Sequence, residues 1–353
     1  MQPWDLSLDS ASGARVRPSS KRRFIILLTY LLSIACLWWV LHDINWREYP
    51  DELRSMNWWW VSVAAISDII VYFWHGWRWN LMLRPIENVP VLRCIRAVYV
   101  GLFANEVLPL RTGEVIRCYL LARWSSLPFS VVLSSALIER VFDGAILVTC
   151  MVATAALVKG LPRYLIDGAT ILGIIVAVGA VLIAVAMFDK HLAHAALSSD
   201  KGWRRHLRVL IDDLHLMGRS RYLLYSALAT FPYLLTQIVP FYALMKAYDF
   251  ADASWGVAAV LMIVQRLGSA VPQAPGNVGT FQALTVVILA GVFGYDNAFA
   301  KRFSVIMWAV VTLPLLIVGF IALAITGAKI GELHFHAHSQ MPGRDPENEP
   351  KKP

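Results

Sequence analysis

The chain has 353 residues, of which 58% are hydrophobic and only 16% charged. A water-soluble protein of this size needs more polar surface, so most of it is expected to lie in a membrane. The formal net charge of +8 would suit nucleic acid, but the basic residues sit between apolar spans, where positive-inside bias puts them, and no nucleic-acid partner is expected.

In chain order, a basic segment over 1–23 (Arg15, Arg17, Lys21, Arg22, Arg23) precedes a first apolar span at 24–42. That span runs into Trp38-Trp39 without a small-x-small cleavage site, so an uncleaved anchor is expected rather than a signal peptide. The second span, 57–81, has Trp58, Trp59 and Trp60 at one end and Trp74, Trp77 and Trp79 at the other. A helix rises roughly 25 Å from Trp60 to Trp77, so the tryptophans resemble the two interfacial belts of one crossing. Inside it Asp68 and His75 share a face, and pairing with neighbouring helices is the preferred role for both. A short apolar stretch over 94–110 and a polar helix over 113–124 form one hairpin. Spans follow at 128–158, 168–188 and 222–245, the last with kinks expected at Pro232 and Pro240. Between them, 190–221 reads as a surface loop with an amphipathic helix. Segments 255–271 and 278–294 form a second hairpin, a last span covers 299–326, and the polar tail 327–353 is expected to be disordered.

The hairpins turn on two breaks. Asn105-Glu106-Val107-Leu108-Pro109-Leu110-Arg111-Thr112-Gly113-Glu114 interrupts one apolar run, and Val271-Pro272-Gln273-Ala274-Pro275-Gly276-Asn277-Val278-Gly279 interrupts another. Pro109 to Gly113 and Pro272 to Gly276 are the same step, each followed by an acid or amide and a valine. Such breaks are tolerated at membrane depth only where they line a protected, wet cavity. The expected architecture is therefore an all-α polytopic membrane protein. It has about six full spans and two re-entrant helical hairpins in an inverted repeat, a layout that places transport sites at the repeat interface.

With the N-terminus inside, the inner segments hold 23 Lys and Arg and the outer ones 7. This asymmetry puts both termini in the cytoplasm. Arg78 is counted among the inner residues, and Lys301 and Arg302 as markers of the outer interface. Cys36, Cys94, Cys118 and Cys150 lie far apart in apolar segments and read as packing residues. His334, His336 and His338 resemble a metal tract but fall in the tail, and neither a metal nor another cofactor is expected.

The second helix of each hairpin begins just after the break, so its unpaired N–H groups suit an anion. Thr112 and Asn277 are candidate caps. Arg111, Arg117, Arg140 and Arg266 supply positive charge of the kind that grips phosphate oxygens. Glu106, Glu114, Glu139 and Asp143 are their available partners. The alternative is a set of internal salt bridges with no ligand. No phosphate-cradling Gly-rich loop, zinc-protease helix or nucleophile elbow is present.

These residues carry a resemblance. Asn105 with Pro109-Leu110-Arg111-Thr112-Gly113-Glu114 and Arg117, then Glu139-Arg140 with Asp143, then Pro275-Gly276-Asn277-Val278-Gly279 resemble the lysylphosphatidylglycerol synthase transmembrane region, or flippase-like domain, over about 95–295. The resemblance implies a multi-pass inner-membrane protein that moves lipid between leaflets, with a transmembrane domain over 24–326. In the multiple peptide resistance factor such a region is joined to a soluble synthase domain. Here the chain ends 27 residues after the last span, so lysyl transfer is not expected. Together with Arg266, which is read from its charge alone, the candidate site residues are Asn105, Arg111, Thr112, Gly113, Glu114, Arg117, Glu139, Arg140, Asp143, Pro275, Gly276, Asn277 and Gly279.

The expected function is a non-enzymatic lipid flippase. Its partner would be a membrane lipid with an anionic headgroup, and lipid- or glycan-synthesis enzymes would be its neighbours. The alternatives are a membrane enzyme transferring a group to or from a lipid phosphate, with Glu139 or Asp143 as base, and a non-catalytic member of a lipid-synthesis complex.

Overall fold

The computed structural model describes residues 20–42, 44, 47, 49–108, 112–157, 163–188, 211–215, 217–218, 220–250, 253–269 and 274–326. Over these residues the protein is all α. Its helices are α1 (Ser20–Leu41), α2 (Tyr49–Ser55), α3 (Trp58–Leu83), α4 (Val91–Val107), α5 (Gly113–Trp124), α6 (Phe129–Leu157), α7 (Arg163–Phe188), α8 (Arg221–Thr236), α9 (Ile238–Ala247), α10 (Trp255–Gly268), α11 (Thr280–Gly291) and α12 (Asn297–Thr326). A 3-10 turn at Pro275–Asn277 stands between α10 and α11.

Local chemistry sets the ends. The side chains of Asn57, Ser220 and Ser254 accept from the N–H groups of Trp59, Tyr222 and Val257 at 3.1–3.2 Å, capping α3, α8 and α10. Helix α4 stops where Leu108 turns extended (φ −98°, ψ 142°), the conformation that a following proline imposes. Pro240 has no N–H for the carbonyl of Thr236, so the segment expected as one kinked span divides there into α8 and α9. Gln237 sits in the gap, its N–H bonded one residue short, to Leu234 at 3.2 Å.

Three described helical stretches are long and apolar enough to cross a membrane: Ile166–Val185, Arg221–Ala247 and Asn297–Thr326. The molecule is thus a multi-pass membrane protein. Of the other expected spans, α1 has a shorter apolar run, Leu27–Leu41. Helices α3 and α6 reach 26 and 29 residues but carry charge, Asp68 and Arg78 on one and Glu139, Arg140 and Asp143 on the other. Helix α7 turns exposed isoleucine, valine and leucine outward along its length, the surface a helix presents to hydrocarbon. The basic start of the chain, most of 190–221, the histidine tract and the tail lie outside the described residues.

The bundle is built on α3 packed antiparallel to α8 and α9. Asn57 N–H, at the start of α3, donates to Ala247 O at 3.0 Å at the end of α9. At the other end Trp74 Nε1 donates to Ala229 O at 3.1 Å and Ser226 Oγ to Arg78 O at 3.4 Å, both carried by α8. Helix α4 starts just beyond the end of α3, and α10 just beyond the end of α9. The last turn of α4 meets the 3-10 turn before α11: Asn277 Nδ2 donates to Glu106 Oε1 at 3.3 Å. The packings correspond. Helix α4 lies on α12 as α10 lies on α6, and α5 on α6 as α11 on α12.

Both turns depend on close approach. A Cβ on Gly113 would fall on the carbonyl of Gly101, so α4 and α5 touch through glycines. Gly279 has φ +87°, and a Cβ there would run into the Ser33 carbonyl of α1. The two charges read as outer-interface markers are packed in: Lys301 is 2% exposed, its Nζ 5.5 Å from the centre of the Trp39 ring. Arg302 Nε donates to Glu52 Oε1 at 2.5 Å. Gly279→Ala is expected to lower stability by about 1–3 kcal/mol, read as a lower thermal midpoint of the detergent-solubilised protein.

Candidate functional site

Glu139 of α6, 1% exposed, gathers charged side chains from two other helices. Its Oε1 accepts from Arg78 Nη2 of α3 at 2.7 Å and its Oε2 from Arg117 Nη2 of α5 at 2.8 Å. Arg78, fully buried, also donates through Nη1 to Asp143 Oδ1 at 2.5 Å and Thr230 Oγ1 at 2.8 Å. Arg117 Nε donates to Glu114 Oε2 at 2.9 Å, and the other oxygen of Glu114 pairs with Arg140. His75 Nδ1 lies 3.0 Å from Tyr233 Oη. Its Nε2 lies 3.0 Å from both Glu139 Oε1 and Arg117 Nη1; one tautomer donates to the acid, the other accepts from the base. The guanidinium carbons lie 4.7 Å from the Tyr233 ring centre for Arg78 and 4.6 Å from that of Trp79 for Arg117. Three arginines face three carboxylates, so the knot is neutral, with Arg78, Arg117 and Glu139 buried and the Glu114–Arg140 pair at its edge. That balance is what allows it to be buried.

In front of the knot, where the last turn of α4 meets the 3-10 turn before α11, is a polar cavity of about 180 Å³. Of the residues singled out from the sequence, Asn105, Glu114, Arg140, Arg266 and Asn277 line it. Arg117, Glu139 and Asp143 sit behind it in the ion knot. Arg111 lies outside the described residues. Thr112 holds the cap position of α5, yet its buried hydroxyl makes no bond among the described residues; Asn105 Oδ1 takes the Gly113 N–H, at 2.8 Å. Asn277 is not a cap either. Helix α11 starts three residues later, and the Gly279 N–H is taken by Gln282 Oε1 at 2.7 Å. Asn277 sits at φ 51° and so reaches across to Glu106. Pro275 and Gly276 shape the turn, with Gly276 O accepting from Trp308 Nε1 at 2.7 Å.

The arginines therefore divide. Arg78, Arg117 and Arg140 each have a carboxylate. Arg266, on α10, has no ion pair and no side-chain hydrogen bond among the described residues, and its guanidinium faces the cavity. The opposite face of α10 (Val260, Ile263, Val264, Leu267) lines a second cavity of about 560 Å³, between α6, α7 and α10 and almost wholly apolar. The two faces are offset by two residues, more than half a helical turn.

Sequence reasoning missed Arg78 and Gln237. Arg78 was counted as a loop charge, although it lies three residues after His75 and ten after Asp68, on the same helical face. Gln237, 4% exposed, lines the cavity; its signal was Pro240 three residues on, which opens the helix there.

The family model described as lysylphosphatidylglycerol synthase TM region matches residues 26–319. A Haloferax volcanii protein named glycosyltransferase AglD is 28% identical over 131 residues, 36% of this chain and 21% of that protein. UPF0104 membrane proteins of Methanothermobacter thermautotrophicus and Methanocaldococcus jannaschii are 22% and 25% identical over 125 and 135 residues. These matches cover 35% and 36% of this chain, and 36% and 38% of those proteins. The chain thus spans well under half the length of each of these relatives. No solved structure matches.

Glu139→Gln removes the buried acid that Arg78 and Arg117 share and leaves each with one carboxylate, Asp143 and Glu114, so a loss of about 3 kcal/mol is expected. Arg140→Gln, at a half-exposed pair, is expected to change stability by under about 1 kcal/mol. Denaturation of both variants in the same detergent checks the contrast.

Proposed function

The chain belongs to the lysylphosphatidylglycerol synthase TM region family, and on that premise we propose that it carries an anionic, phosphate-bearing lipid between the leaflets of the inner membrane. The observation that supports this most directly is Arg266. A charge at membrane depth costs about 3 kcal/mol or more, and the other arginines of the centre are neutralised by acids. Arg266 stands open in a polar cavity, with the Asn105 and Asn277 side chains on the same wall. A phosphate oxygen is the partner its fork fits.

The apolar cavity on the far side of α10 supports the same reading. An amphiphile needs a wet site for its head and a dry one for its tail, and the same helix lines both. The antiparallel setting of α3 against α8–α9, with α4 starting just beyond the end of α3 and α10 just beyond the end of α9, supports an inverted repeat with two re-entrant hairpins within 24–326. Rocking one half against the other would open the cavity to each leaflet in turn. Both termini are then cytoplasmic, as the basic segments ask.

Group transfer to a lipid phosphate is the weaker choice. Glu139 and Asp143, its candidate bases, are committed to Arg78 and Arg117 behind the cavity. The glycosyltransferase among the relatives adds glycan-bearing lipids to the cargoes worth trying, and glycan-synthesis enzymes to the partners. Arg266→Gln is expected to slow leaflet exchange of fluorescent phosphatidylglycerol in proteoliposomes about tenfold or more, while the thermal midpoint stays near wild type. An unchanged rate removes Arg266 from the site.

A further inference from the structure

The start of α4 and the ends of α5 and α12 enclose a third cavity, of about 360 Å³, lined among the described residues by Arg93, Arg96, Trp124, Ile325 and Thr326. No carboxylate is among them. Arg93 and Arg96, three residues apart, stand on one face of α4 and repel each other. Arg93 Nη1 donates to the Trp124 carbonyl, which ties the two helices of the first hairpin together at their base. Arg96, half-buried, has no hydrogen bond and no ion pair among the described residues. The one acid of the loop before α4, Glu87, is turned to the Ser126 N–H at 3.0 Å. Helix α4 itself opens after Pro90 with no side chain capping it, so its first N–H groups add to the positive field. Two guanidiniums in a hollow without an acid fit an anion with several acceptor oxygens, as a phosphate has.

The surroundings of the hollow say what carries that phosphate. Ile325 is exposed, and with Leu313, Ile317 and Ile321 it makes an exposed apolar stripe in four-residue steps along α12. From Leu313 to Ile325 the helix rises about 18 Å, a little over half of the roughly 30 Å hydrocarbon layer, which is the depth that the chains of one leaflet fill. Trp124 stands at the hollow as aromatic side chains do at a membrane surface. An inorganic phosphate would use only the hollow, whereas a lipid uses the hollow and the stripe. This place is separate from the Arg266 cavity. Arg96 lies nine residues before Asn105 on the same helix, a rise of about 13 Å. Between them α4 is closed on α12, where a Cβ on Gly319 would run into the Phe103 side chain and the Tyr99 carbonyl.

We propose that this cavity is a second lipid site, in which Arg93 and Arg96 hold the phosphate of an anionic lipid of the adjoining leaflet while its chain lies along α12. The lipid is a resident one: it fastens the end of α12 to the base of the first hairpin and stays while cargo passes at Arg266. The basic segments put this end of the molecule inside, and basic hollows between helices on that side suit anionic heads. The assignment stands on this cavity alone and does not need the transport reading.

The test uses the full-length protein, freed of lipid in a neutral detergent and titrated with cardiolipin, with phosphatidylcholine and with inorganic phosphate. Bound lipid is counted by mass spectrometry and the thermal midpoint is followed in parallel. Cardiolipin is expected to bind and to raise the midpoint, less so in added salt, and phosphatidylcholine to do neither. Arg96→Gln is expected to weaken cardiolipin binding about tenfold or more, whereas Arg266→Gln, at the other cavity, leaves it as in the wild type. Equal binding of phosphatidylcholine, or undiminished affinity in Arg96→Gln, overturns the site. A midpoint raised as far by inorganic phosphate as by cardiolipin overturns the lipid and leaves a free-anion site. Should Arg96→Gln fail to fold, the wild-type contrast among the three ligands decides by itself.

Discussion

Everything in the centre of this protein follows from one constraint: a charge away from water must meet an opposite charge. Glu139 satisfies it for two arginines at once, with both carboxylate oxygens engaged at 2.7–2.8 Å, and Asp143 and Glu114 complete the balance. The knot ties α3, α5, α6 and α8 together at a point where apolar packing alone would leave their polar faces unmatched. Such a knot contributes less to net stability than its bond count suggests, because desolvation offsets much of the attraction. Its effect is to fix which helices meet, and in what register.

Among the described residues Arg266 is the exception, and exceptions to the pairing rule are where ligands belong. It is held there by backbone chemistry. Helix α4 ends at Leu108 and α10 at Gly268, and the close glycine contacts bring α4 against α5 and the start of α11 against α1. Pro240 opens a third gap and leaves Gln237 facing the same space. Three separate interruptions, each an ordinary consequence of proline or glycine geometry, converge on one cavity.

The two faces of α10 give that cavity its meaning. One turns Gln265 and Arg266 toward the polar space, the other Val260, Ile263, Val264 and Leu267 toward an apolar one. A free phosphate would need only the first. Family membership, a guanidinium open among the described residues and an adjoining apolar cavity all favour a lipid.

Much of this was legible in the sequence. Composition set the membrane class, and the Pro-to-Gly steps marked both turns. Helix α5 was placed residue for residue at 113–124, because glycine, proline and charge act through local backbone geometry and solvation. Roles were not legible. Arg78, Arg117, Arg140 and Arg266 look alike in a linear string; which one lacks a partner depends on contacts such as Arg78 to Glu139, 61 residues apart. Asn277 read as a helix cap by position, yet its side chain serves a residue 171 positions away. The sequence by itself determined where the chain must break and what kind of solvent surrounds it, since those depend on neighbours along the chain. Only the tertiary structure decided which charges cancel and which remains open, since electrostatic pairing is settled by distance in space.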